Sequence, residues 1–226
     1  MITTVLDTKD VGFLPPGGHV VLLTDDPCAA LKGRDLGLEL RDAFYIVGPE
    51  GVRFAYLFRR ELDGTVAENI VRYETGGLNI AACRVGQEGG TRKVNPEKRP
   101  SKYAFGDGLN GGGSVPIDAG RWPPNMLLIH GAGCRVVGER LVRASTGQAD
   151  ATPTDTQIAT PIHSGRHYGD ENGMEPLPEW ECDEMCPVTA LDSVSGDAGG
   201  ASRFFPQFAN EEGLRDWFLT LLGKSV

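Results

Sequence analysis

No apolar run in the 226 residues approaches the roughly 18 that a membrane-spanning helix requires, which excludes a helical span. The first twenty residues lack a basic start leading into an apolar stretch, so no signal peptide is expected and the expected location is cytoplasmic. Positive charge is also scarce: 22 Lys and Arg face 31 Asp and Glu, for a net charge of −9. Any nucleic-acid contact therefore has to be local, because most of such a surface repels phosphates. What is present suits a globular fold. The chain is 40% hydrophobic and 23% charged, at a length that fits one substantial domain or one domain carrying an insertion. Its 31 glycines and 15 prolines imply many turns and long irregular connections.

The charge is unevenly placed. Between Asp150 and Asp192 stand ten carboxylates and one Arg166, so this segment carries the whole net charge of −9. From Arg84 to Lys102 the sign reverses, with Arg84, Arg92, Lys93, Lys98, Arg99 and Lys102 against Glu88 and Glu97. A basic stretch of this kind is either a phosphate-contacting loop or simply a solvated one.

The first 82 residues read as compact α/β structure. Pro15-Pro16-Gly17-Gly18 is a turn signal, and His19 to Thr24 form a continuous apolar and β-branched run, a buried strand. Asp26 followed by Pro27 reads as an N-cap with proline at the first helical position, and Gly37 as the stop of that short helix. Leu38 to Val47 and Val52 to Arg59 read as two strands joined by the turn at Gly48–Gly51. At the other end, Asn210 can cap a helix with Glu211 and Glu212 in its first turn. Leu214, Trp217, Phe218, Leu221 and Leu222 fall on one face of that helix, and Gly223 ends it.

His130 and Cys134 stand four apart, as do Cys182 and Cys186. A structural zinc site takes four thiolate or imidazole ligands in a tetrahedron, and two short pairs joined by a long loop can supply them. Spacing alone leaves other readings open: a disulfide, unpaired buried cysteines, or a different ligand set using His163 and His167. Cys28 and Cys83 read as buried small apolar residues.

Several pieces of the chain, in order, resemble the bacterial and phage DNA methyltransferases that modify adenine N6 or cytosine N4. They are Leu14–Val21, Gly37–Asp42, Gly64–Ile70, Thr75–Val85, Gly120–Asn125, Trp180–Val188, Leu191–Gly196 and Ala201–Phe205. The resemblance covers about residues 12–205 and implies a bacterial or phage-infected host. Members with a comparable insertion carry a similar His-x₃-Cys and Cys-x₃-Cys, so the resemblance implies structural zinc on His130, Cys134, Cys182 and Cys186.

The family's catalytic and methyl-donor segments are not found. It holds a flipped base with Asp, Asn or Ser, then Pro-Pro, then Tyr, Phe or Trp. Leu14-Pro15-Pro16-Gly17 and Trp122-Pro123-Pro124-Asn125 have neither the polar residue before nor the aromatic after. A D-P-F-x-G-S-G-like S-adenosylmethionine loop is likewise missing. The glycine-rich stretch Gly106–Gly111 follows no apolar strand and precedes no helix former, so it reads as a loop.

The resemblance thus implies an α/β fold: a partial methyltransferase-like (Rossmann-like) sheet with a loop-rich, zinc-binding insertion. Residues 1–120 would be the partial core with its basic connection, 121–192 the insertion and target-recognition region, and 193–226 the return to the core with the terminal helix. The expected function is a methyltransferase-like protein, not catalytic alone, that retains a zinc-supported DNA-recognition module. Arg84, Arg92, Lys93 and Arg121 are its expected phosphate contacts. One alternative is a subunit of a split enzyme, with S-adenosylmethionine bound only once a partner chain supplies the missing segments. Another is a non-catalytic structural or interaction protein derived from the same fold.

Overall fold

The computed structural model describes residues 2–4, 6–86, 90–94, 113–117, 124–143, 174–196 and 199–223. The chain forms two compact units, one from residues 1–85, 122–138 and 178–226 and the other from 86–121 and 139–177. Its strands are β1 (Ile2–Thr3), β2 (His19–Thr24), β3 (Glu39–Gly48), β4 (Gly51–Arg59), β5 (Gly90–Val94), β6 (Gly113–Ile117), β7 (Met126–Ile129), β8 (Arg135–Arg143), β9 (Met174–Glu181) and β10 (Gln207–Phe208). The helices are α1 (Thr8–Phe13), α2 (Ala30–Asp35), α3 (Val66–Tyr73), α4 (Pro187–Ser195) and α5 (Glu211–Leu221). The result is a mixed α/β fold, and no helix among the described residues is long and apolar enough to cross a membrane.

The first unit is built on a six-stranded sheet in the order β1-β2-β4-β3-β7-β10. β4 runs antiparallel to both β2 and β3, while β1 with β2, β3 with β7 and β7 with β10 are parallel. Alternation along the strands divides their side chains between two faces. Val21, Leu23, Phe44, Ile46, Ala55, Leu57, Leu127 and Ile129 share one core with Leu214, Phe218 and Leu221 of α5. Val20, Leu22, Tyr56 and Phe58 belong to the other face, packed with Leu14, Ala29 and Leu38. A sheet covered on both faces needs apolar residues at consecutive positions, which is why β2 reads as an unbroken run.

On that second face, Leu128 packs with Cys186 and Val188, and Val47, Met126, Cys134, Cys182, Leu191 and Phe205 surround them. The cysteine-bearing segments thus cover β7. Both ends of the expected 121–192 insertion, residues 122–138 and 178–192, fall in the same unit as the sheet. The second unit contains the antiparallel pair β5 and β6, and β8 and β9 form a two-stranded sheet.

Two local expectations shift. Asp26 accepts the Cys28 N–H at 2.8 Å, but α2 itself begins at Ala30, so Asp26 heads the turn before the helix rather than capping it. Cys28 is consequently exposed, while Cys83 is buried as expected. Helix α3, absent from the expected elements, starts from a capping box: Thr65 accepts the Glu68 N–H, and the Glu68 carboxylate accepts the Thr65 N–H at 2.7 Å.

Helix α2 lies so close to β4 that a Cβ on Gly33 would stand 2.2 Å from the Phe58 ring. Both groups are buried, so neither has room to yield. Gly33→Ala is expected to destabilise the fold by about 1–3 kcal/mol through overpacking. Chemical denaturation should show a lower midpoint with an unchanged slope, and an unchanged midpoint would contradict this packing.

Candidate metal centre

His130 immediately follows β7 and is tied to the sheet by its backbone, whose N–H donates to the Phe208 carbonyl at 2.9 Å. The chain then turns at once, with the Cys134 N–H donating to the Gly131 carbonyl at 3.0 Å. The second pair repeats this device: the Cys186 N–H donates to the Asp183 carbonyl at 3.0 Å. Each Xaa-x₃-Cys spacing is therefore a tight turn that brings its two ligands to one side. Cys186 is also the N-cap of α4, with Pro187 at the first helical position, where the missing N–H costs nothing.

The two turns meet. One ligand atom each from His130, Cys134, Cys182 and Cys186 lie within 4.8 Å of one another, and His130 and Cys186 are buried. The His130 Nδ1 stands 3.4 Å from the Cys182 Sγ and 3.6 Å from the Cys186 Sγ, so Nδ1 is the ring nitrogen turned toward the thiols. Three thiols and an imidazole converging in this way can hold a metal ion. All five cysteines are free, with no disulfide formed.

Neighbouring groups fix the arrangement. Asp183 spans both turns, its N–H donating to the Cys134 Sγ at 3.4 Å and its carboxylate accepting the Gly133 N–H at 3.0 Å. A Cβ on Gly133 would lie 2.5 Å from that carboxylate, which would have to move to make room for it. Trp180 stacks on the His130 imidazole with ring centroids 3.6 Å apart and planes 15° from parallel. The far ring nitrogen, Nε2, is 3.1 Å from the Gln207 Oε1. Arg135 and Glu181, next to the ligands Cys134 and Cys182, form an exposed ion pair at 2.6 Å.

The electrostatics favour a neutral imidazole beside thiols of unequal acidity. Burial holds the His130 pKa below its ordinary value, against smaller opposing effects of the Gln207 hydrogen bond and the Asp192 charge. Burial pushes the Cys182 thiol up to about 12. It acts on Cys186 in the same direction, but hydrogen bonds from the Gly131, Thr189 and Val188 backbone, with one to Cys134, together outweigh it and leave that thiol below its ordinary value. Val188 and Thr189 belong to the first turn of α4, whose dipole suits a thiolate.

The structure therefore brings all four sequence-predicted metal residues together. The expected DNA contacts are placed differently. Arg84 follows the 3₁₀ turn Ile80–Cys83 in the sheet unit, and Arg92 and Lys93 lie on β5. Arg121 lies outside the described residues, as do Lys98, Arg99, Lys102, His163, His167 and Gly106–Gly111. Trp180, Asp183 and Gln207 escaped the sequence reading. Asp183 alone carried a local signal, standing inside the second cysteine pair. No family model, curated protein or solved structure matches the chain.

A metal binding here must displace thiol protons, above all the one on Cys182, whereas the imidazole is already neutral. Apparent metal affinity is therefore expected to rise as pH increases from about 6 to about 8, with protons released on binding. Calorimetric titration in buffers of different ionisation enthalpy measures both. A flat pH profile without proton release would contradict thiolate ligation.

Proposed function

We propose that the four residues bind one structural zinc ion in a DNA methyltransferase-like protein that does not catalyse methyl transfer alone and retains a DNA-recognition module. The single observation that carries the metal part is the convergence of His130, Cys134, Cys182 and Cys186 within 4.8 Å. Zinc–sulfur bonds of about 2.3 Å and zinc–nitrogen bonds of about 2.0 Å would place S and N about 3.5 Å apart in a tetrahedron. The two nitrogen–sulfur separations of 3.4 and 3.6 Å fit that figure. Soft thiolates with an imidazole suit zinc, and four protein ligands leave no position for a water or substrate, the pattern of a structural site. When bound, the ion would cross-link the two turns over β7.

The family reading is supported by the collinear sequence pieces and by an α/β sheet whose pairings, apart from those of β4, are parallel. The DNA part is supported by that resemblance and by the basic residues Arg84, Arg92, Lys93 and Arg121.

Removal of zinc by a chelator is expected to lower the thermal midpoint markedly, because metal that binds only the folded chain adds its binding free energy to stability. Restoring zinc should restore the midpoint, and an unchanged midpoint would rule out a structural ion. The zinc-loaded chain is also expected to bind duplex DNA with log affinity falling against log salt at about −0.9 per phosphate contacted. Alanine at Arg84, Arg92, Lys93 and Arg121 should shallow that slope. No binding even at low salt would leave an interaction protein as the better account.

A further inference from the structure

One chain of polar groups near the metal centre points in a direction that the chemistry of its last member determines. The Asp192 carboxylate accepts twice from Ser202, from the backbone N–H at 2.7 Å and from the hydroxyl at 2.9 Å. An ionised carboxylate accepts and cannot donate, so the single hydroxyl hydrogen of Ser202 is committed to Asp192. The Ser202 Oγ then has only lone pairs left for its next neighbour, the Gln207 amide, 3.2 Å away. Gln207 has to meet it with its NH₂ group, and the amide oxygen is thereby turned to His130.

This oxygen accepts from the His130 Nε2, 3.1 Å away, which must therefore carry the ring hydrogen. A neutral imidazole protonated on Nε2 has its lone pair on Nδ1, the nitrogen facing Cys182 and Cys186. The opposite orientation of Gln207 would bring two acceptors face to face at Ser202 and place a hydrogen on Nδ1, in the way of a metal. Ser202 is buried, with no surrounding solvent to relieve such a mismatch.

We propose that Gln207, held one way round by Ser202 and Asp192, is the positioning residue of the metal centre and selects the His130 tautomer that ligates through Nδ1. This rests on the metal-centre reading for its consequence, but the tautomer itself is observable without any metal.

Long-range ¹H–¹⁵N NMR of the metal-free full chain reads the His130 tautomer directly, and competition with a chromophoric chelator reads zinc affinity. The wild type should show hydrogen on Nε2. In Gln207→Met, of similar length but without the amide acceptor, that preference should be lost and zinc affinity should fall roughly 10–100-fold. Gln207→Glu keeps an acceptor oxygen for Nε2 and should keep hydrogen there, while losing the donor to the Ser202 Oγ and so part of the zinc affinity. A merely structural role for Gln207 would leave the tautomer unmoved. Hydrogen on Nδ1 in the wild type, or a Gln207→Met chain with unchanged tautomer and affinity, would overturn the proposal. A wild-type chain that takes up no zinc would overturn the metal centre and the ligand role of Nδ1 together, while the metal-free spectra still decide whether Gln207 sets the tautomer.

Discussion

A strand buried on both faces must be covered on both, and β7 is such a strand. Leu127 and Ile129 are covered on one side by the core that α5 completes. Leu128 on the other side is covered by Cys186 and Val188, with Cys134, Cys182, Leu191 and Phe205 around them. The chain that delivers this cover is rich in carboxylates and offers few large apolar side chains. Hydrophobic burial alone gives it limited purchase, since each group stabilises only in proportion to the apolar area it hides. Four convergent ligands offer a different solution: an ion bound there would hold the two turns directly, and the polar bridge through Asp183 holds them to each other.

The same economy explains why the surrounding residues are so specific. Gly133 leaves room for the Asp183 carboxylate, and Trp180 flattens against the imidazole. Gln207 comes from a strand only two residues long, yet that strand also receives the His130 N–H through Phe208. Backbone and side chain of His130 are thus both fixed from β10. Metal sites depend on such outer partners nearly as much as on the ligands, because a ligand in the wrong tautomer is no ligand.

Much of this was legible in the sequence where a local rule dominates. β2 follows from its apolar run and α5 from its spacing and its Asn210 cap, which accepts the Gly213 N–H at 3.0 Å. Paired spacing singled out the four ligands, while leaving a disulfide or a set using His163 and His167 open. α3 was written both in the Thr65 and Glu68 capping box and in the helical spacing of Val66, Ala67, Ile70 and Val71, although Ile70 and Val71 remain exposed. The Asp26–Pro27 signal was real but marks a turn one step before α2. Gln207, Ser202 and Asp192 could not be read at all, because their connection to His130 exists only once β10 is laid beside β7. Short strands such as β7 and β10 are set by tertiary pairing rather than by propensity.

The convergence of His130, Cys134, Cys182 and Cys186 is the central feature of this chain. X-ray absorption spectroscopy of the zinc-loaded protein addresses this most directly. Three sulfur neighbours at about 2.3 Å and one imidazole nitrogen at about 2.0 Å are predicted, with no water in the shell. A shell with fewer than three sulfurs, or with an open position occupied by oxygen, would contradict the assignment of His130, Cys134, Cys182 and Cys186 as a closed structural site.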